Sequence, residues 1–434
     1  MIKKIKSLFK VQFVRNVSTM LSGTTMAQAI VILSSPLLTR LFTPADFGYL
    51  AVVTSISAIM AIIYTLQYDM VIVLVKDNTA AKQFMGISLN ITVLIFILAL
   101  ILGSISFYFP LLEIVGYENI PPYILIVSLF AGLLIAVKNI LSQWTTRSKA
   151  FKFISSSLVI ATAISTIFNL VMGYFYGNFI VLILGSLLLY LVNIASLLRR
   201  GNNLKSFQEG VTLSTHWDSS KRLLRDYKDF PKYRLPQSLL NTIGQNIPTL
   251  VMISFFSPTI AGFYALAYRM VKVPGMLVSN SIRSVFFQKA AELYNKKTGL
   301  YQALFKVTLW LALGGLIPFL TIAIISPPLF SFVFGSEWEV AGTYASILAI
   351  WMYTVFCNTP ATAVMPVLRL QKRYLVFNII SLAARTGALI FGGMTGGAFE
   401  AILYYVISGS LYNILIIVDV HWQVYRYEKY EVER

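Results

Sequence analysis

The sequence predicts an all-α integral membrane protein of about twelve transmembrane helices, arranged as two pseudo-symmetric six-helix lobes. Three observations predict it. The 434 residues are 57% hydrophobic and only 12% charged, about half the charged fraction of a soluble domain. Apolar runs of the roughly 20 residues needed to cross a bilayer core of about 30 Å recur along the chain. A corner motif also repeats: Phe42-Thr43-Pro44, with Gly48 four residues on, returns half a chain later as Phe256-Ser257-Pro258 with Gly262. A proline suits the first turn of a helix, where its missing N–H is no loss, and a glycine lets helix backbones approach. Each copy therefore reads as a tight corner between membrane helices. Pro110, Gly116 and Glu118 are echoed by Pro328, Gly335 and Glu337. Duplication of a bundle is the reading, against two unrelated corners that share turn chemistry. Parallel internal repeats are a habit of transporters.

In order, residues 2–13 carry Ile2, Ile5, Phe9 and Phe13 at helical spacing with lysines between them, which predicts a short helix lying on an anionic leaflet. The run that follows is long and holds Ser22, Thr24, Thr25 and Gln28, unlike a cleaved signal peptide, so the first helix is expected to be retained. Spans are predicted at about 17–38, 46–75, 84–109, 121–145, 153–175 and 179–198. A polar linker covers 199–235. Spans resume at about 236–256, 259–287, 300–325, 338–367, 375–395 and 399–420, before a tail of 421–434. The domains expected are thus a first lobe of 1–198, a basic linker of 199–235, a second lobe of 236–420 and the tail.

The charge map tests this order independently. Assigning loops alternately to the two sides collects most of the 35 basic residues on one side, with the N-terminus, the linker and the tail. The opposite loops hold Glu113, Glu118, Glu337, Glu339 and Glu400, with Arg40 their lone cation. By the positive-inside rule both termini and the linker face the cytoplasm, and the net charge of +18 needs no nucleic acid to explain it. A single cysteine, Cys357, excludes an intramolecular disulfide, and two isolated histidines lack metal-ligand spacing. No Gly-rich Lys-Ser/Thr loop is present, so this chain does not itself drive transport with a nucleotide.

Four cations lie inside predicted spans: Lys138, Arg269, Lys272 and Arg385. Arg269 falls roughly 15 Å into its helix, and Lys272 is one turn further along the same face. Each central charge costs at least about 2.5–3.5 kcal/mol, and the only acids within spans, Asp69 and Asp419, are near helix ends. Central cations without central anions imply a hydrated cavity that accepts an anionic ligand. Lys138 reads equally as a snorkelling boundary residue, and Arg385 as a partner for helix carbonyls in a glycine-rich stretch. Asp69 and Asp419 read either as boundary residues or as coupling-ion sites. Gln237, Asn241, Gln245 and Thr249 recur every fourth residue down one span. With Gln28 they line a pathway or hold helices together.

At these residues the chain resembles a family. Arg15-Asn16 and the stretch from Ser35-Pro36-Leu37-Leu38-Thr39-Arg40 to Gly48 are similar to the N-terminal signature of bacterial Wzx-type oligosaccharide flippases. These belong to the multidrug/oligosaccharidyl-lipid/polysaccharide exporter superfamily. Phe230-Pro231-Lys232-Tyr233-Arg234-Leu235-Pro236, Ala261–Ala267 and Val285–Ala291 resemble the start of the second half. The resemblance implies a MATE-like pair of lobes alternating between inward-open and outward-open states in the bacterial inner membrane. It implies a cargo of oligosaccharide repeat units on undecaprenyl pyrophosphate, moved to the outer leaflet for O-antigen, lipopolysaccharide or capsule. Basic cavity residues would receive that cargo, here Arg269, Lys272, Arg385 and Lys138 with Arg40. No cofactor is expected beyond H+ or Na+ coupling. Expected partners are the lipid-linked oligosaccharide, anionic membrane lipids and the polymerase machinery, with no nucleic acid.

Two rivals remain. A cation-coupled drug exporter of the same superfamily needs carboxylates at mid-depth, and none is present there. A membrane polymerase or ligase needs a large outer loop with catalytic Arg or His, and every predicted outer loop is short.

Overall fold

The computed structural model describes residues 2–105, 121–200 and 203–429, so the Pro110–Glu118 half of the second echo lies outside the described residues. The chain separates into two compact units, Met1–Ser254 and Phe255–Arg434. All regular structure among the described residues is helical.

The first unit opens with α1 (Ile2–Leu41), one continuous helix where the sequence suggested an interfacial helix and a separate span. Then come α2 (Pro44–Thr65), α3 (Val71–Leu74), α4 (Asn78–Ile105), α5 (Tyr123–Arg147), α6 (Phe151–Tyr176) and α7 (Phe179–Arg199). Helix α1 packs on α6, α2 on α5, and α7 on both α5 and α6. The α1–α6 crossing is very close: a Cβ on Gly23 would overlap the Ser155 hydroxyl, which donates to the Thr19 carbonyl at 2.8 Å. Two short helices, α8 (Asn203–Ser214) and α9 (Trp217–Asp226), fill the linker, and α10 (Leu235–Phe255) falls with this unit up to Ser254.

The second unit comprises α11 (Pro258–Lys296), α12 (Leu300–Phe334), α13 (Glu339–Cys357), α14 (Thr359–Val364), α15 (Gln371–Thr395) and α16 (Ala398–Tyr427). Helix α13 is its centre, packed against α11, α12 and α16, with α15 lying along α16. One end is closed by an apolar cluster of Phe286, Leu300, Leu304, Val364, Ile416 and Val420.

Nine helices among the described residues are long and apolar enough to span a membrane. The other three long helices, α1, α10 and α11, carry many of the polar residues that the sequence assigns to a cavity, among them Gln28, Gln237, Asn241, Gln245 and Arg269. Apolar side chains also face outward in stripes: Leu94, Ile97, Leu98, Ile101 and Leu102 on α4 are all exposed. Such a surface suits acyl chains and not water. This is a multi-span membrane protein.

Local chemistry explains the element ends. At the first corner the Thr43 hydroxyl accepts from the Asp46 amide at 3.3 Å, and Asp46 accepts from the Thr43 amide at 2.8 Å. This reciprocal pair satisfies two of the helix's free N-terminal amides. At the second corner only the Ser257 hydroxyl acts, accepting from the Ile260 amide at 3.3 Å.

The predicted span 46–75 is not continuous. It breaks where Leu66 and Gln67 take left-handed backbone angles, φ 47° and 62°, a region that non-glycine residues seldom occupy. The break is held by tertiary contacts. Gln67 is buried and accepts from the Ser238 hydroxyl of α10 at 3.0 Å. The Arg147 guanidinium donates to the carbonyls of Ile72 (3.0 Å), Val75 and Lys76 (3.0 Å) that end α3, a favourable site for a cation at a helix C-terminus. Likewise the predicted span 338–367 divides at Asn358, whose amide side chain donates to Asn413 at 3.0 Å. Helix α12, in contrast, runs nine residues beyond its expected end, through Pro327 and Pro328 to Phe334.

Candidate functional site

In the second unit, rings from three helices assemble around Arg385. Helix α11 supplies Tyr264 and Tyr268 one turn apart, stacked at 5.8 Å and 8°. Tyr268 stacks on Trp351 of α13 at 6.2 Å and 17°, and Trp351 meets Tyr405 of α16 edge-on at 5.2 Å. The Arg385 guanidinium sits 5.6 Å from the centroids of both Trp351 and Tyr405. Its Nε donates to the Ser381 carbonyl, one turn back on α15, at 3.4 Å. Ring faces attract a cation strongly where water is scarce, so this arginine is held by π surfaces and a carbonyl. No carboxylate among the described residues pairs with it.

Lys272 joins the same assembly, its Nζ lying 4.9 Å over the Tyr268 ring. The structure thus brings together two of the predicted site cations, Lys272 and Arg385, at opposite ends of a Tyr268–Trp351 stack. Arg269 stands next to Tyr268 in sequence but emerges elsewhere on α11. Its side chain is exposed and makes no hydrogen bond or ion pair with any described residue. It lies about 17 Å along the helix from Pro258.

The remaining predicted residues are in the first unit. Lys138 is half-buried in α5 and has no polar partner among the described residues. Gln237, Asn241 and Gln245 all lie exposed along α10, while Thr249 at the end of that stripe is buried. Gln28 is half-buried in α1, and Arg40 is exposed in that helix's last turn.

The profile of the polysaccharide biosynthesis protein family matches residues 37–343. The chain belongs to that family. Among curated relatives of this polysaccharide biosynthesis protein, the succinoglycan biosynthesis transport protein ExoT of Rhizobium meliloti is 21% identical over 431 residues, covering 95% of this chain and 80% of ExoT. The teichuronic acid biosynthesis protein TuaB of Bacillus subtilis is 26% identical over 129 residues, spanning 30% of this chain and 27% of TuaB. The lipopolysaccharide biosynthesis protein WzxC of Escherichia coli is 24% identical over 190 residues, 43% of this chain and 38% of WzxC. In fold, the chain is similar to an inward-facing MATE-family multidrug transporter of the MOP superfamily (TM-score 0.67, 14% identity, covering 93% and 96% of the two chains). It is comparably similar to the lipid II flippase MurJ in an inward closed conformation (TM-score 0.66, 13% identity, covering 95% and 91%). This member of the polysaccharide biosynthesis family therefore has a fold similar to that of MOP-superfamily proteins.

The two acids singled out in this polysaccharide biosynthesis protein have different surroundings. Asp419 on α16 is engaged by Arg373 of α15, whose Nε and Nη2 donate at 3.1 and 2.5 Å. Asp69 is buried at the α2 break, and its Oδ1 has no hydrogen-bond partner among the described residues. The residues that sequence reasoning missed are the rings: Tyr264, Tyr268, Trp351 and Tyr405 look like ordinary apolar-span aromatics in sequence. Tyr264–Tyr268 at one-turn spacing beside Arg269 and Lys272 was the signal available.

Proposed function

We propose that this protein moves undecaprenyl-pyrophosphate-linked oligosaccharide repeat units from the cytoplasmic to the outer leaflet by alternating access, for O-antigen, capsule or a related polymer. Membership of a polysaccharide biosynthesis family with transport-protein relatives supports a polysaccharide precursor as cargo. The observation that carries the anionic headgroup is Arg269, a cation about 17 Å into a long helix, exposed and without an ion-pair partner among the described residues. A diphosphate cannot enter hydrocarbon unaccompanied, and a guanidinium fork matches phosphate oxygens in charge and geometry. In this reading Arg269 and Lys272 receive the diphosphate. Arg385 fixes the ring stack that holds Lys272. A MATE-type drug exporter has the same fold, so fold likeness does not separate the two. What favours the lipid-linked cargo is the sign of that exposed charge within a long helix.

The test measures lipid-linked repeat units in each leaflet for Arg269→Gln, Lys272→Gln and the double variant, each checked for a monodisperse, folded protein. Single neutralisation is expected to slow transfer about tenfold or more, equivalent to about 1.4 kcal/mol. Arg269→Lys should retain a part. Undiminished transfer by the double variant overturns the reading.

A further inference from the structure

The linker is a folded element with two unlike faces. Both linker helices are fixed to the start of α4: Lys82 pairs with Glu209 of α8 at 2.5 Å, and the Gln83 amide donates to the Leu213 carbonyl of α8 (3.3 Å) and to Ser219 (2.7 Å) and Ser220 (3.0 Å) of α9. Helix α9 turns Leu223 and Leu224, with Tyr227 and Phe230 beyond it, onto a cluster of Tyr68, Val71, Ile72, Val75, Phe84 and Met85. The opposite face carries exposed Lys221, Arg222 and Arg225, continued by exposed Lys228, Lys232 and Arg234. Three exposed acids, Asp218, Asp226 and Asp229, only partly offset these six cations. Tyr233 is 61% exposed, with the Lys232 ammonium 4.9 Å over its ring.

Position gives this face its meaning. The cluster under α9 includes Phe84 and Met85 from the first two turns of α4, an apolar helix long enough to span. The basic face therefore lies where a span leaves the hydrocarbon, the level at which headgroup phosphates sit and aromatic and basic side chains anchor. Between the first turns of α4 and α8 is an open cavity of about 550 Å³ lined by Thr79, Lys82, Lys205, Gln208, Glu209 and Thr212. Its one carboxylate is already engaged by Lys82, leaving Lys205, an amide and two hydroxyls to face an occupant.

We propose that the outer face of α9 and the adjoining cavity dock anionic phospholipid headgroups of the leaflet on the linker's side, so that the linker is a membrane-surface anchor for the first unit. Each exposed cation near such a surface strengthens binding about fivefold, and the attraction is screened by salt. An acidic protein partner fits less well, because the face is level with the bilayer surface and carries Tyr233 at its end.

The experiment titrates the full-length, detergent-solubilised protein with phosphatidylglycerol, phosphatidylcholine or free glycerophosphate, and reads binding as the rise in unfolding midpoint. Phosphatidylglycerol should bind more tightly than phosphatidylcholine, and salt should weaken it. The triple variant Lys221→Gln/Arg222→Gln/Arg225→Gln should lose roughly a hundredfold, whereas Arg222→Lys/Arg225→Lys should stay near wild type. Equal response to the two lipids, a triple variant that binds as wild type, or salt-insensitive binding overturns the proposal. So does a response to glycerophosphate that matches the lipid, since the occupant is then a soluble anion. If the triple variant does not fold, the salt series on wild type decides alone.

Discussion

The two copies of the Phe-hydroxyl-Pro corner begin alike and end differently. After the first corner, α2 runs 22 residues and stops at a left-handed break with a buried aspartate. After the second, α11 runs 39 residues unbroken and carries Arg269 and Lys272. The helix entered next is anchored differently too. Helix α4 is held by the linker through Lys82, Gln83 and Gly86, whereas α12 is held by Glu428, whose carboxylate accepts from the Leu300 amide and from the Tyr301 amide at 3.1 Å. One sequence motif therefore sets a turn but not what the following helix becomes. In the first copy, partners brought from α5 and α10 stabilise a break; in the second, the helix stays whole and carries the exposed Arg269 in its N-terminal half.

The largest effect should come from the linker anchor, which the second copy lacks. A Cβ on Gly86 would lie 2.0 Å from the Gly210 carbonyl oxygen, so Gly86→Ala must push α8 away from α4. A loss of about 1–3 kcal/mol is expected in unfolding in detergent, and an unchanged midpoint would show that α8 does not need this contact. Next are the corners themselves. Asp46→Ala removes the bonds its carboxylate accepts from the Thr43 amide (2.8 Å) and hydroxyl (2.7 Å) and should cost about 1 kcal/mol, whereas Ser257→Ala loses a single bond and should cost less. The reverse order would mean that the corners are equivalent in strength despite their geometry.

Smaller still is the Arg373–Asp419 pair. With the arginine side chain 48% exposed, a double-mutant cycle should give a coupling of at most about 1 kcal/mol, and a value several-fold larger would point to a coupling role for Asp419 beyond pairing. The smallest effect concerns pH. The hydrogen bond from Lys82 holds the Glu209 carboxyl below its ordinary value of 4.5. A group whose pKa is depressed on folding adds stability above its unfolded value and loses it as pH falls through the folded one. The α8 clasp should therefore persist at neutral pH and weaken only below about pH 4.5, read as hydrogen exchange of the α8 amides; weakening already at pH 6 would assign the clasp to another group.

Much of the fold was legible in sequence because a bilayer leaves few choices: apolar runs must be helices, and Thr43-Pro44 and Ser257-Pro258 must be their corners. The break at Leu66-Gln67 was not legible, since neither residue favours a left-handed backbone and both are held there by Ser238, Arg147 and the linker. The candidate cations were found as charges where none should be, but their surroundings were not. A tyrosine at 268 and a tryptophan at 351 become a stack only when α11 and α13 lie side by side.

By itself the sequence determined a multi-span helical membrane protein, its repeated corners and the excess of positive charge inside the spans, because composition and turn chemistry act locally. The tertiary structure alone decided that Arg385 is wrapped by rings while Arg269 is left bare, and that a polar linker is a docked pair of helices. Those outcomes depend on which side chains distant segments bring to the same place, and no local propensity encodes that.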